Sequence, residues 1–259
     1  MLHIHKYVVL LRMKYVEMFA YQLATIVWMT GAMVQPLITM LVWMNIYPKQ
    51  EEAFIFYFAV LIFVERMTSA WDVWELEREI REGTFSYQIV RPLHPIHWAI
   101  AENFVYKALF FVILLPIWGI LALFVPALRF QMSTLQVLLF LAALIVAAAI
   151  RFLFSYSFGL LGFWITKVTA VYGMFEAISL FVSGRIAPLS LLPPLIQKIS
   201  LYLPFRYMIG FPIEIVTGSI QGTAIMYGFV GAMSWLLFFV IVLSLLWKAG
   251  LKKNQAVGG

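Results

Sequence analysis

The chain has no cysteine and only four histidines in 259 residues. Disulfides, iron–sulfur clusters and thiol catalysis are therefore excluded. His3, His5, His94 and His97 all lie outside the long apolar runs, so paired histidines cannot hold a haem between membrane helices. The patterns HExxH and GxxxxGK[ST] are both missing. That removes a zinc-protease helix and a P-loop for nucleotide. No Ser–His or paired-Asp arrangement sits in an apolar run, which leaves membrane proteolysis without its catalytic groups. Charge is scarce as well: Asp, Glu, Lys and Arg make up 12% of the residues, against about 25% in an ordinary soluble domain.

Apolar residues are abundant: 64% of the chain is hydrophobic, 17% is aromatic and the mean hydropathy is +0.94. That excludes both a soluble globular protein and a disordered one. A transmembrane helix needs about 20 apolar residues to cross about 30 Å of hydrocarbon. The runs here are continuous rather than alternating, which excludes a membrane β-barrel. The expected fold class is all-α: one polytopic transmembrane domain over residues 1–259, with six transmembrane helices.

Residues 4–18 read as an amphipathic helix. Ile4, Tyr7, Val8, Leu11, Tyr15 and Met18 share one face, while His5, Lys6, Arg12 and Glu17 fall elsewhere. Such a helix can lie at a membrane surface, or it can be the start of the first span. With its charges and no short apolar core before a cleavage site, Met1 to Phe19 is not expected to be a signal peptide. Span one is expected near 21–46, kinked at Pro36. Span two runs from Ala53 through Glu65 and Arg66 to about Trp74. Spans three to six follow near 100–124, 135–163, 169–187 and 223–247. Residues 188–219 carry Pro188, Pro193, Pro194, Pro204 and Pro212, and so cannot form one straight span.

Six spans put both termini on one side. With the N-terminus inside, the inner loops and termini hold 11 Lys and Arg and the outer ones hold 5. The positive-inside rule then makes both termini cytoplasmic, in a cytoplasmic (inner) membrane. The net charge of +6 comes from basic residues beside apolar segments, so lipid rather than nucleic acid is the expected partner. No internal repeat is apparent, which counts against an inverted-repeat carrier. His94-Pro95-Ile96-His97 lacks neighbouring carboxylates or thiols and reads as a plain loop. No catalytic, cofactor-binding or metal-ligating residue is expected on the chain.

The most informative segment is 75–97. Val73, Leu76 and Ile80 share a helical face, and Glu77–Arg81 and Arg78–Glu82 are i,i+4 pairs. Span two thus continues outward as a charged helix. Gly83 suits its stop, and Thr84 suits the cap of a short element from Phe85 to Val90. Arg91-Pro92 breaks that element. Phe85, Tyr87, Ile89 and Val90 are unusual company in a solvated loop and suggest a docking surface. A membrane-surface helix without a partner is the other reading.

These residues carry a resemblance. Glu77-Arg78-Glu79-Ile80-Arg81-Glu82-Gly83-Thr84, then Arg91-Pro92-Leu93, and Leu203-Pro204-Phe205-Arg206-Tyr207 together resemble the transmembrane subunit of an ABC-2 type exporter. The resemblance covers essentially the whole chain. It implies a coupling helix after span two that sits in a groove of an ATPase subunit, with Glu77, Arg78, Glu82, Gly83, Thr84, Phe85, Tyr87, Arg91 and Pro92 as coupling residues. It implies short outer helices within 188–219. It also implies two ATPase subunits, which bind the ATP and magnesium, and a second permease chain, identical or related. The importer-type EAA loop fits less well, because its two alanines are missing and the position differs.

Glu65, Arg66, Arg151 and Glu176 lie in or near spans. An unpaired charge at mid-bilayer costs about 2.5–3.5 kcal/mol on insertion scales. Glu65 and Arg66 point about 100° apart on one helix and cannot pair with each other, so Arg151 and Glu176 are the expected partners. The charges can be structural pairs or line a pathway. Arg185 is expected at the outer interface instead. The expected function is export of a substrate left unspecified, driven by ATP hydrolysis on another subunit. An ion- or proton-coupled carrier using Glu65 and Glu176 is the alternative, and a membrane enzyme is disfavoured by the missing catalytic groups.

Overall fold

A computed structural model describes residues 2–20, 22–130 and 132–253. Tyr21, the expected first residue of span one, and the side chains of Ile4 and His5 lie outside the described part. Helices α1 (Leu2–Ala20), α2 (Gln22–Ile46) and α3 (Glu51–Thr68) open the chain. The short α4 (Asp72–Arg81) and α5 (Phe85–Ile89) follow, then α6 (Pro95–Phe124), α7 (Thr134–Leu160) and α8 (Val168–Val182). Helix α9 (Pro194–Tyr202), a π-helical turn over Arg206–Gly210, α10 (Phe211–Val216) and α11 (Thr223–Leu251) complete it. There is no strand among the described residues.

Local chemistry explains the boundaries. Helix α6 starts on Pro95, whose missing N–H is no loss at a helix start, and His94 Nδ1 accepts from the Ile96 amide. Helix α7 starts on a reciprocal cap between Ser133 and Gln136. Both α2 and α6 continue through their internal prolines, Pro36 and Pro116. The expected second span is interrupted, however. Helix α3 stops at Thr68, and α4 begins only at Asp72. The break is satisfied by side chains: Lys107 donates to the Ser69 carbonyl at 2.8 Å, and Ser155 Oγ accepts from the Val73 amide at 3.1 Å. Buried backbone groups need such partners wherever the helical ladder lapses.

Four stretches are long and apolar enough to cross a bilayer: Pro48–Arg81, Pro95–Phe124, Thr134–Phe163 and Thr223–Leu251. The pair Pro194–Tyr202 and Arg206–Val216 bends by 87° and would make a fifth if taken as one span. That bend falls in the segment that its prolines were expected to break. Thr30–Ile46 and Val168–Val182 are shorter apolar helices.

Helix α7 is the centre, packed by α3, α4, α10 and α11. Its Phe154 ring meets Tyr172, Phe205 and Phe239 at centroid distances of 5.4, 5.9 and 5.5 Å. Helix α1 packs on α6. It buries Leu10 there, while Tyr7, Val8 and Tyr15 of its expected apolar face stay exposed, free for a bilayer surface.

Candidate functional site

Helix α4 is held from within. A Cβ at Gly159 would come 2.6 Å from Leu76 Cδ1, so glycine is what lets α4 lie against α7. Glu77 is buried; it accepts from the Thr169 amide at 2.6 Å and from Arg81 at 2.9 Å. The expected Glu77–Arg81 pair therefore forms, and Glu77 also ties α4 to the start of α8. The Arg78–Glu82 pair does not form among the described residues, because the helix ends at Arg81 and Glu82 is its cap. Gly83 follows with φ of 76°, the left-handed stop expected of it.

Two expectations for the next turn are corrected. Thr84 makes no side-chain cap on α5; its hydroxyl donates back to the Glu79 carbonyl at 3.3 Å. Phe85 is no free anchor. It is fully buried, with its ring 5.6 Å from Phe163 and 6.0 Å from Trp247, in a cluster with Leu76, Tyr156 and Leu160. Two residues on, about half a helical turn away, the chain faces outward: Tyr87 is 71% exposed, and Val90 beyond it 82%. Arg78, Glu82, Thr84, Arg91 and Pro92 are exposed around them. Arg91 also lies over the Trp98 ring at 4.7 Å. His94 packs 4.1 Å from Trp247; burial, then the neighbouring His97, hold its pKa below the ordinary value.

A second polar set surrounds the α3–α4 break, and the sequence reading missed it. Asn103 donates to Asp72 at 3.1 Å, and Lys107 donates to Asn103 at 2.8 Å. Glu102 accepts from Lys14 at 2.7 Å and from the Trp71 indole at 3.2 Å. Burial disfavours the Lys14 charge, but the Glu102 and Glu17 carboxylates outweigh it and raise the pKa. The available signal was Glu102, Asn103 and Lys107 at helical spacing inside an otherwise apolar run.

The intramembrane charges pair differently from expectation. Arg185 does not stand apart at an interface. It joins Glu65 directly and reaches Glu176 at 2.8 Å. Trp43 and Tyr57 donate to the Ile186 and Gly184 carbonyls, both at 2.7 Å, and so aim this loop inward. Arg151 stands 3.8 Å from Glu176 and donates to Thr68 at 3.3 Å. Arg66 is not in the chain of charges; it turns to the Tyr106 hydroxyl. The result is a balanced row of two carboxylates and two guanidiniums linking α3, α7 and α8.

This arrangement combines a membrane-spanning bundle, a short helix anchored by one buried ring with an exposed apolar tip, and a helix pair bent by 87°. None of the curated proteins compared with the chain matches it. Residues 37–258 match the family described as ABC-2 family transporter protein, which takes in all of these features except α1 and the start of α2. The chain is a multi-pass membrane protein that belongs to the ABC-2 transporter family.

Proposed function

We propose that the chain is the permease subunit of an exporter, moving its substrate out of the cytoplasm or across leaflets while separate subunits hydrolyse ATP. Six spans fit this reading: the four long stretches, the apolar part of α2, and α8. Helix α8 rises only about 22 Å at about 1.5 Å per residue. The 188–219 segment then forms outer helices, and both termini lie in the cytoplasm, as the Lys and Arg asymmetry favours. Two ATPase copies carry the ATP and magnesium, and a second permease chain, identical or related, completes the unit.

The observation that carries the proposal is the exposed pair Tyr87 and Val90 on a helix pinned from behind by buried Phe85. An exposed aromatic in a segment that also exposes Arg78, Arg81 and Arg91 is the composition of an interface anchor. Force applied at α5 passes to α4, which packs on α7 and α8. The carrier alternative has less support. The two carboxylates it would titrate, Glu65 and Glu176, both engage Arg185.

The test is co-purification of the ATPase with wild-type permease and with Tyr87→Ala/Val90→Ala, alongside transport-linked ATP hydrolysis. The double variant should fold normally and lose ATPase association, since such anchors are often worth about 2 kcal/mol or more each. In intact cells a cysteine at Gln50 should react with an impermeant thiol reagent, and one at Val90 should not. Unchanged association, or labelling of Val90→Cys from outside, would overturn the proposal.

A further inference from the structure

Beside the coupling segment lies a cavity with about 80 Å³ of open space, between α1, α4, α5 and α6. A water needs about 10–15 Å³ by this kind of measure, so a small organic head group has room. Four carboxylates line it: Asp72, Glu75, Glu79 and Glu102. Among the described residues only Glu102 has a cation bound to it, Lys14. Asp72 and Glu79 accept from the side-chain amides of Asn103 and Gln88. Lys14 and Arg91 line the cavity too, so the lining holds four carboxyl groups against two cations, and Glu75 and Glu102 hydrogen-bond to each other, which needs a proton held between them.

A second, independent feature points into the same space. Tyr156 is 1% exposed, lines the cavity, and its hydroxyl has no hydrogen-bond partner among the described residues. The carboxylates of Asp72 and Glu79 act on that hydroxyl. A buried hydroxyl left unpaired is costly, and natural folds rarely retain one without a use. Its oxygen can accept a hydrogen bond from a ligand.

We infer that this cavity is a binding site for a compact primary ammonium group. Among the described residues no three His, Cys, Asp or Glu side chains stand together as a metal site would need. The acceptors are spread around an open volume instead. A primary ammonium brings three N–H donors in a tetrahedral fan, which suits carboxylates on several sides and one phenolic oxygen. The ammonium would take the place of the proton held between Glu75 and Glu102, which leaves to solvent, and face two carboxylates in its stead. The amine can come from an aminophospholipid head group, since α1 with its exposed apolar face borders the cavity, or from a free amine. Arg91 borders both the cavity and the outward Tyr87 and Val90 surface, but the four carboxyl groups and Tyr156 are not part of that surface, so the site stands whether or not that surface docks an ATPase.

The experiment follows thermal unfolding of the full-length permease in phosphatidylglycerol nanodiscs. Ethanolamine is added in solution, or part of the lipid is replaced by phosphatidylethanolamine. A ligand that binds only the folded state raises the midpoint with its concentration. A rise with ethanolamine identifies a free amine as sufficient; a rise with the lipid alone identifies the head group as the source. Glu75→Gln keeps the side-chain shape and cannot give the ammonium a carboxylate. Tyr156→Phe removes only the unpaired hydroxyl, so its unliganded midpoint should be unchanged or higher. Each should weaken the amine response about tenfold or more. No rise with either amine overturns the inference, and so does an equal rise in wild type and both variants.

Discussion

Two segments of this molecule are broken by helix-stopping residues, and they resolve the break in opposite ways. In 205–216 the chain turns inward: Phe205, Tyr207, Ile209, Phe211 and Ile213 are all buried. In 82–92 it turns outward, with only Phe85 buried and Tyr87 and Val90 exposed. Each segment is fastened in its own way: 205–216 by the Arg206–Glu214 ion pair, at 3.2 and 2.6 Å, and 82–92 by the buried Phe85 ring. A break that buries its large residues serves the fold. A break that anchors one ring and shows the next leaves surface for something else.

The largest expected effect is on 205–216. Arg206→Leu would leave Glu214, whose side chain is 14% exposed, without its partner. Removing one member of a buried pair costs about 3–5 kcal/mol. Arg206→Leu/Glu214→Leu should recover much of that loss, because no buried charge remains. Unfolding in detergent measures both. A single variant as stable as wild type would mean that the apolar packing alone holds this segment, and the comparison would lose that half.

Residues of 82–92 should separate into two classes. Phe85→Ala should lower stability by about 3 kcal/mol, at the lower end of aromatic truncations because a five-residue helix can partly collapse onto the gap. Tyr87→Ala, two residues on, should change it by less than about 0.5 kcal/mol, as surface changes do. Equal losses for Phe85→Ala and Tyr87→Ala would show that the two residues share one environment, and would erase the distinction between anchor and tip.

Why these two neighbours were not distinguished from sequence is instructive. A five-residue helix is too short for a 3.6-residue period to declare a face, so Phe85 and Tyr87 read alike. Breaks set by backbone chemistry were legible. Gly83 with its positive φ and the prolines of 188–219 act through their own covalent structure, wherever the chain folds. The Ser69–Trp71 break was not legible. Neither glycine nor proline marks it, and it rests on Lys107 and Ser155 from distant helices. Arg185 failed for the same reason: its partners lie 120 and 9 residues away, and two hydrogen bonds from α2 and α3 aim its loop. That the intramembrane charges needed partners was derivable from the cost of an unpaired charge; which partners they took was a property of packing.

The smallest effect sharpens the 82–92 half of the comparison, at the point where the chain enters α6. His94 caps α6 through Nδ1, which accepts from the Ile96 amide, and the ring rests on Trp247. Protonation would turn that acceptor into a donor and end the cap. Burial and then His97 lower its pKa from the ordinary 6.5. The folded protein thus favours the neutral ring, while the unfolded chain takes up the proton first as the pH falls. The contribution is fully present above about pH 6.5 and is lost as the pH drops from there through the lower folded value. His94→Asn keeps a capping acceptor that does not titrate in this range. Midpoints measured from about pH 8 down to about pH 5 should fall more for wild type than for His94→Asn. Parallel curves would show that α6 starts without help from His94, leaving Pro95 as the sole determinant of the restart.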